Sequence, residues 1–421
     1  MTGRISRRDF MLRSMGAAGG LLVSTHLAGC RSKGRAVPPF GEETLPQAPP
    51  VETTYTDATP VAFPYLEVSG TPLEVGRAIG SRFGDLIRKG LDRRGEWFRD
   101  LRGFALGAGR SAYDVFVEAA RKHTPRALAE LEGWAEGSSV PFEDLMVLNL
   151  KSEMEELKRQ SADGNAPPGE AHPGCSTIVI VTADHIYHLH NEDGDADYAD
   201  LMFMLRVRPA GGVPYLTLSY PGILPGNAPA VNAKGIVLTT NFIGSREVRP
   251  GVGRYFLDRM ILEAASLDEA LDWSTHPERA FAFHHVLTSL PELRSVAVEV
   301  TASRKEVKPI DGLYLHTNHL VLETMKDEEQ DEKYVSTSST TRMEVLAAWA
   351  GKQGNPLGLT PEDMLVPLSS HDRKPYSPCR HPEGDIRGFT LATAVFEAPG
   401  KSMRISKGQP CLGRWMDYDL P

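Results

Sequence analysis

The chain has 421 residues, of which 41% are hydrophobic, and its 55 Asp and Glu residues outnumber 46 Lys and Arg residues, giving a formal net charge of −9. This balance excludes a nucleic-acid-binding protein, because the sequence offers no basic stripe that would neutralise phosphates. The hydrophobic content is sufficient for a core, and the length fits one large domain or two ordinary ones.

The segment 1–30 has the pattern of an export signal. Residues 6–11 (SRRDFM) match a twin-arginine motif, and residues 15–27 form an apolar run too short for a permanent membrane helix. Residues 27–30 (LAGC) match a lipobox, so we predict a lipid on Cys30 that anchors an exported protein to the periplasmic or extracellular side of a bacterial envelope. The alternative is an ordinary secretory cleavage site beside a chance cysteine. No later apolar run is long enough to span a membrane.

Residues 31–64 are predicted to be a disordered tether. Prolines recur there among acidic and threonine residues, and such a composition stays extended. Helical signals follow. Residues 71–74 (TPLE) form a capping box with proline at the first helical position. Apolar residues at helical spacing then continue over residues 112–135 and 142–153, so the first third of the chain is predicted to be helical.

Strand patterns dominate after residue 160. A loop is predicted over residues 161–173, and runs of β-branched and apolar residues then predict strands over residues 176–181, 186–190, 201–207, 215–219, 235–240, 389–396 and 402–405. Helices are predicted over residues 253–273 and 340–349. Because helices and strands occur in blocks, this order favours a layered α+β fold over a doubly wound sheet.

Gly174-Cys175 opens the first strand of this second part. The start of a strand behind a flexible loop is a poor place for a core thiol and a good one for a nucleophile, but no histidine is evidently placed to accept its proton. If the chain were cut between these residues, the new α-amine, with a pKa near about 8, would serve as the base for its own thiol. Glycine, which has no Cβ, would allow the strained geometry that cleavage needs. A buried structural cysteine is the alternative interpretation.

Several motifs occur in an order that resembles one family. These are residues 133–137 (GWAEG), 148–153, 174–177 (GCST), 190–193 (HNED), 240–242 (TNF), 317–319 (TNH) and 338–342 (SSTTR). From about residue 65 to the C-terminus, the chain resembles the isopenicillin N acyltransferase family of autoprocessed cysteine peptidases. This family belongs to the N-terminal nucleophile hydrolases and is related to penicillin V acylases and bile salt hydrolases.

The resemblance implies a fold and a maturation step. The fold would be a four-layer αββα sandwich preceded by a helical propeptide. Residues 65–174 would become an α-chain, and residues 175–421 would become the catalytic β-chain, which would stay associated with it as a heterodimer. The activity would be hydrolysis of a linear amide or N-acyl bond in a small molecule, with acyl transfer as a related outcome and hydrolysis favoured.

The resemblance also implies residue roles. Cys175 would be the nucleophile, and Asp193 would orient its freed amine and thiol. Asn241 would donate to the oxyanion, while Asn318 would bond the amine or line the pocket. Arg342 would favour the thiolate and tether Asp193 or the substrate. No cofactor is implied.

His190, Asn191 and Glu192 are candidates for substrate binding. Many relatives carry an aromatic residue where this chain has Glu192, and the bile salt hydrolase branch carries arginine where His190 stands. These departures disfavour penicillin-type and bile-salt substrates. If Glu192 points into the cleft, its acid would suit an amine-bearing or cationic substrate.

Metal and disulfide signals are weak. The acidic run over residues 192–200 is typical of a solvated turn more than of a cation site. The spacing of His185, His188 and His190 can bind zinc, but no nearby third ligand of evident spacing completes such a site. We therefore expect surface or cleft histidines and no bound metal. Cys379 and Cys411 could form a disulfide after export or remain free thiols.

Two other function classes remain. The first is a non-catalytic lipoprotein that uses the same fold to bind a ligand or partner. The second, a papain-like protease, is disfavoured because its cysteine would start a helix, whereas Cys175 starts a strand.

Overall fold

The computed structural model describes residues 53–161, 174–326, 335–400 and 402–421. The predicted twin-arginine motif, the lipobox with Cys30 and most of the predicted loop over residues 161–173 lie outside these ranges. Within them, no helix combines the length and the apolar character that a membrane crossing requires.

The described residues form fifteen strands. In chain order they are β1 (Thr53–Thr56), β2 (Tyr65–Gly70), β3 (Ser176–Val181), β4 (Ile186–Asp195), β5 (Phe203–Pro209), β6 (Tyr215–Ser219), β7 (Ala230–Asn232), β8 (Ile236–Phe242), β9 (Phe283–Ser289), β10 (Arg294–Val300), β11 (Lys305–Pro309), β12 (Gly312–His316), β13 (Gly388–Ala398), β14 (Ser402–Lys407) and β15 (Trp415–Asp419).

The described ranges also contain nine α-helices. They are α1 (Pro72–Leu106), α2 (Arg110–His123), α3 (Pro125–Ser138), α4 (Phe142–Asn149), α5 (Lys151–Ser161), α6 (Arg254–Ile261), α7 (Leu267–Ser274), α8 (Thr337–Ala350) and α9 (Pro361–Leu368). The predicted capping box is confirmed, since Thr71 Oγ1 accepts from the Glu74 N–H and the Glu74 carboxylate accepts from the Thr71 N–H. The predicted helix over residues 112–135 is two helices, because Pro125 has no N–H to continue the first.

The predicted tether over residues 31–64 is too long. Thr53–Thr56 pairs antiparallel with β2, and Phe63 is buried in the core. Lys407 also donates to the carbonyl oxygens of Thr59 and Ala62, at 2.7 and 2.9 Å. The threonine and tyrosine residues of this stretch favour a strand at a sheet edge, and this preference outweighs the proline content. Residues 53–64 therefore belong to the folded body.

Two sheets stack face to face. The larger has the order β1-β2-β5-β6-β7-β8-β9-β10-β11, and the smaller has the order β12-β3-β4-β13-β14-β15. All pairs are antiparallel except β2 with β5. Polar contacts join the two inner faces, because His188 of β4 bonds Thr239 of β8 and Thr288 of β9 at 2.8 and 3.0 Å.

Helices cover both outer faces. On the larger sheet, Phe83 of α1 stacks on Phe203 of β5 with ring centroids 3.9 Å apart, and Trp134 of α3 contacts the same ring. On the smaller sheet, Ile178 of β3 shares a separate buried cluster with Leu346 of α8. The predicted four-layer αββα sandwich is therefore confirmed, with the propeptide-like helices on the larger sheet.

Candidate active site

Cys175 immediately precedes β3, which lies between β12 and β4. The residue is 6% exposed and lines a pocket that Glu192 and Asp193 also line. Its backbone N–H donates to Asn318 Oδ1 at 2.7 Å, and its carbonyl oxygen accepts from the Arg342 guanidinium. Two of the predicted site residues thus hold both sides of the Cys175 backbone.

Arg342 is fully buried on α8 and connects several parts of the site. Its other hydrogen bonds run to Asn318 Oδ1 at 2.8 Å, Ser176 Oγ at 3.0 Å and Ser338 Oγ at 3.3 Å. Burial lowers the pKa of Arg342 to about 10, so the guanidinium stays cationic at neutral pH. Its charge therefore lies beside the Cys175 backbone.

Asn318 is itself held in a fixed orientation. Its Nδ2 donates to the Phe242 carbonyl oxygen at 3.0 Å, and its backbone N–H donates to Ser339 Oγ at 2.8 Å. Its amide oxygen is therefore directed at the Cys175 nitrogen. This geometry agrees with the predicted contact between Asn318 and that nitrogen.

Gly174 has no room for a side chain. A Cβ at this position would lie 1.9 Å from Arg342 Nη2 and 2.1 Å from Asn318 Oδ1. The glycine is required because two buried polar side chains contact the backbone directly, rather than because of a left-handed backbone conformation. The bond between Gly174 and Cys175 therefore runs directly against Arg342 and Asn318.

Asp193 lies two residues before the end of β4 and lines the same pocket. Its Oδ1 accepts from Thr390 Oγ1 at 2.7 Å, and its Oδ2 has no hydrogen-bond partner among the described residues. Burial raises the pKa of Asp193 to about 7. In the uncut chain the Cys175 nitrogen is an amide that bonds Asn318, so the contact of Asp193 with a free α-amine stays a prediction.

The thiol is neutral in this environment. Burial, followed by the charges of Glu192 and Asp193, raises the pKa of Cys175 well above its ordinary value. A buried thiol of this kind needs a proton acceptor before it can attack a carbonyl.

His190 lies close to the Cys175 thiol, a proximity that the sequence alone does not show. One of its ring nitrogens lies within 4.8 Å of Cys175 Sγ. However, its Nδ1 bonds Thr177 Oγ1 at 2.8 Å, its Nε2 faces Glu192 Oε2 at 3.3 Å, and burial lowers its pKa to about 3. Such an imidazole is a poor base. The contacts of His190 are therefore with Thr177 and Glu192, and its low pKa disfavours it as the base for the thiol.

Asn241 is oriented as a donor. Its Oδ1 accepts from Thr177 Oγ1 at 3.0 Å and faces His284 Nδ1 at 3.0 Å, while its buried Nδ2 has no partner among the described residues. Buried donors are normally satisfied, so an unpaired one is typical of a functional position. The arrangement fits the predicted oxyanion role.

His284 is a residue that the sequence analysis missed. Its Nε2 faces the Tyr314 hydroxyl at 3.0 Å, so a neutral ring can accept there and donate from Nδ1 to Asn241. Burial and neighbouring histidines lower the pKa of His284 well below its ordinary value, which keeps the ring neutral. No pattern in the sequence connects His284 with Asn241, because β8 and β9 meet only in the folded sheet.

Glu192 lines the pocket, as the substrate hypothesis requires. Its Oε1 accepts from the Tyr220 hydroxyl at 2.6 Å. Burial raises the pKa of Glu192 to about 8, so the carboxyl is mostly protonated at neutral pH and can donate to His190 Nε2. Tyr220 was not predicted, and it joins the site from the loop that follows β6.

Asn191 is not placed to bind substrate. Its Nδ2 donates to the carbonyl oxygens of Leu368 and Pro378, at 2.9 and 3.0 Å, and its Oδ1 accepts from Thr393. Asn191 is fully buried, and these partners satisfy its amide, so it offers no free group to a ligand. Its prediction as a binding residue is corrected to a structural role.

The expected surface or cleft histidines are also corrected. His188 and His190 are fully buried between the sheets, where hydroxyl groups satisfy them. His185 lies in the turn before β4 and bonds Thr182. Among the described residues, the three histidines do not form a metal-binding group.

The acidic run after Glu192 is largely neutralised by cations. Asp197 pairs with Arg387 at 2.5 Å, and Asp200 pairs with Lys89 and Arg93 at 2.6 and 2.5 Å. These half-exposed ion pairs are typical of a solvated surface turn. They are not arranged as a cation site.

The fold and the site together define a class of protein. A four-layer αββα sandwich with a cysteine directly before a strand of the inner layer has the architecture of an N-terminal nucleophile hydrolase. The family model described as acyl-coenzyme A:6-aminopenicillanic acid acyl-transferase matches residues 181–411, more than half of the chain. The chain belongs to this family, which confirms the resemblance. The matched segment contains Asp193, Asn241, Asn318 and Arg342 and begins six residues after Cys175.

Two similar proteins each match more than four fifths of this chain. A beta-alanyl-dopamine/carcinine hydrolase from Drosophila melanogaster is 26% identical over 394 residues, covering 83% of this chain and 94% of that protein. The 40 kDa form of an acyl-coenzyme A:6-aminopenicillanic-acid-acyltransferase from Emericella nidulans is 24% identical over 350 residues, covering 82% of this chain and 93% of that protein. Both names describe enzymes that break or form amide bonds.

Proposed function

We propose that the protein is an autocatalytically cleaved amide hydrolase whose nucleophile is the N-terminal cysteine of a β-chain that begins at Cys175. The observation that carries the proposal is the Gly174-Cys175 backbone, which lies without side-chain room against Arg342 and Asn318. The poor basicity of His190 supports an α-amine base. Family membership supports amide chemistry.

Self-cleavage would begin with the Cys175 thiol. Its sulfur attacks the Gly174 carbonyl carbon, the bond to the Cys175 nitrogen breaks, and that nitrogen takes up the thiol proton. The resulting thioester is hydrolysed by water, which leaves a carboxylate on Gly174 and a free amine and thiol on Cys175. Asn318 would then hold the new amine through the contact it already makes with this nitrogen.

Turnover would use the same groups on an external amide. The α-amine accepts the thiol proton, and the thiolate attacks the substrate carbonyl while Asn241 Nδ2 donates to the developing oxyanion. The ammonium then protonates the leaving amine, and water hydrolyses the thioester. An amine acceptor in place of water would give acyl transfer, the activity named for the Emericella relative.

The cleaved chains would remain a heterodimer. Helices α1 and α3 of the α-chain are buried against the larger sheet, and Phe83 stacks on Phe203 across the future chain boundary. Separating the two chains would expose this apolar core to water, and the free-energy cost would exceed what cleavage of one peptide bond releases. Anchoring through a lipid on Cys30 after twin-arginine export is part of the proposal and is supported by the motifs in residues 1–30.

The first test is intact mass measurement of the full chain and of Cys175→Ala. We expect two wild-type chains, one ending at Gly174 and one spanning residues 175–421, and a single uncut chain for the variant. When the protein is extracted from its native membrane fraction, the first chain should begin at Cys30 and carry the mass of its lipid. A wild-type chain that stays whole would favour a non-catalytic binding protein. Cleavage of Cys175→Ala would exclude this cysteine as the nucleophile.

The substrate is proposed to be an amide that carries a cationic amine. Glu192 lines the pocket between Tyr220 and His190. The Drosophila relative is named for amides of β-alanine, whose acyl group ends in a primary amine. An ammonium near Glu192 would draw its proton away and bind the resulting carboxylate.

Glu192→Gln is therefore expected to raise KM for a cationic amide about tenfold, since a hydrogen bond between charged groups contributes about 1.5–3 kcal/mol. Because the pKa of Glu192 is about 8, the wild-type KM for the cationic amide should fall as pH rises through that value. The variant should lack this fall. A neutral amide of the same size, measured at each pH, controls for titration of the nucleophile. Equal changes for both substrates would contradict the charge role of Glu192.

A further inference from the structure

Four metal-binding side chains converge away from the nucleophile. They are His371, Cys379 and His381, from the loop between α9 and β13, and Cys411, from the turn after β14, and their ligand atoms all lie within 4.8 Å of one another. Cys379 Sγ lies 3.6 Å from both Cys411 Sγ and His381 Nε2, and Cys411 Sγ lies 3.4 Å from His381 Nε2. The His371 ring stands edge-to-face with the His381 ring.

The three separations among Cys379, His381 and Cys411 match the edges of a zinc tetrahedron. With zinc–sulfur bonds of about 2.3 Å and zinc–nitrogen bonds of about 2.0–2.1 Å, neighbouring ligand atoms lie about 3.8 Å apart for two sulfurs and about 3.5 Å apart for sulfur and nitrogen. By contrast, a disulfide requires sulfurs about 2.05 Å apart. Both cysteines are free thiols in the structure. The open alternative of a Cys379–Cys411 disulfide is therefore not the arrangement observed.

We propose that His371, Cys379, His381 and Cys411 bind one zinc ion as a structural site. Two thiolates and two imidazoles form a complete ligand set of the kind that leaves no position for water or substrate. This proposal departs from the sequence expectation that the protein holds no metal. It does not depend on the proposed amide chemistry.

The zinc would fix a loop that supports the active site. Arg380 lies between two of the ligands and is buried, and its backbone N–H donates to Thr390 Oγ1 at 2.9 Å. Thr390 in turn donates to Asp193 Oδ1 at 2.7 Å. On the other side, Gln409, two residues before Cys411, donates to the Arg380 carbonyl oxygen at 3.2 Å. A metal that links the two loops would therefore hold the residues that position Asp193.

Metal content of the purified full chain tests the site. We expect about one zinc per chain by elemental mass spectrometry in wild type, and a loss of at least tenfold in Cys379→Ser and in Cys411→Ser. Cys175→Ala is the matched control, because Cys175 forms a second cluster with His190 and Glu192. It should keep its zinc. Loss of zinc from Cys175→Ala alone would place the metal at the nucleophile and overturn the proposal.

A second measurement uses only the wild-type protein, so its result does not depend on whether the cysteine variants fold. After a chelator has removed its metal, the protein should take up one equivalent of Co²⁺ and show the visible absorption bands of a tetrahedral site with thiolate ligands. Added Zn²⁺ should then displace the Co²⁺. A protein that binds neither ion would overturn the proposal. So would a Cys379–Cys411 disulfide found by peptide mass analysis of protein purified without oxidant.

Discussion

Gly174→Ala is expected to leave the chain uncut or to slow its cleavage by roughly 10²-fold or more, since a misplacement of about 1 Å at a reacting centre can cost that factor. The added Cβ would meet Arg342 Nη2 at 1.9 Å and Asn318 Oδ1 at 2.1 Å. Both partners are buried and hydrogen-bonded to Cys175, so they cannot retreat without releasing its backbone. The Gly174 carbonyl would move away from the thiol.

The measurement is the time course of precursor loss after synthesis, followed by intact mass. Gly103→Ala is the matched control, because a Cβ at that position in α1 meets no atom within 4 Å. It should be cleaved at the wild-type rate. The melting temperature of uncut Gly174→Ala should match that of uncut Cys175→Ala, which separates a local block from misfolding. Wild-type cleavage of Gly174→Ala would show that these contacts do not govern the reaction.

Local chemistry made much of this molecule predictable. The capping box at Thr71 begins α1 where its residues require, and the run of β-branched and apolar residues from Ser176 begins β3 at the predicted residue. The Gly-Cys pair stands out because its residue types are uncommon at a strand start. The strands over residues 389–396 and 402–405 were also predicted, and they lie within β13 and β14, which pair antiparallel. In each case the determining residues are neighbours in sequence.

The remaining features depend on contacts between distant segments. β9 to β12 were not predicted. His284 contacts Asn241 because β9 pairs with β8 in one sheet, and His316 contacts Glu299 because the two sheets stack. The direction of Asn191 was misread because it depends on which face of β4 packs on α9. Likewise, Cys379 and Cys411 have partners only once the two loops meet. Spacing along the chain carries no signal for such contacts.

The charge state of the site could not be predicted from the sequence either. Glu192 and Asp193 read as acidic residues in sequence, but burial raises their pKa values to about 8 and about 7. The charge that a substrate meets thus depends on desolvation and on partners such as Tyr220 and Thr390. Composition cannot supply these quantities.

Asn241→Ala is expected to lower kcat of the cleaved enzyme by about 10²–10³-fold with little change in KM, the effect of losing one oxyanion donor. The reason is the geometry of its amide. Thr177 and His284 occupy Oδ1, so the unpaired Nδ2 is a donor prepared before the substrate arrives. Such a donor bonds the charged oxyanion more strongly than the neutral carbonyl, and its loss therefore affects the chemical step.

Asn232→Ala is the matched control on the neighbouring strand β7. Asn232 is also a buried asparagine, but its amide is satisfied by the carbonyl oxygens of Leu262 and Ala264 and by the N–H groups of Lys234 and Ile236. Its loss should lower the melting temperature and leave kcat of the folded enzyme near that of wild type. This control separates the loss of a buried amide from the loss of a catalytic donor.

Asn241→Asp provides the sharper comparison. The variant keeps the shape of the side chain and the oxygen that faces Thr177 and His284, but it replaces the donor with an acceptor. A carboxylate oxygen would repel the oxyanion, so kcat should fall at least as far as in Asn241→Ala. If either variant instead raises KM while kcat stays unchanged, Asn241 contacts the ground state, and the oxyanion donor must be sought among the backbone N–H groups around Cys175.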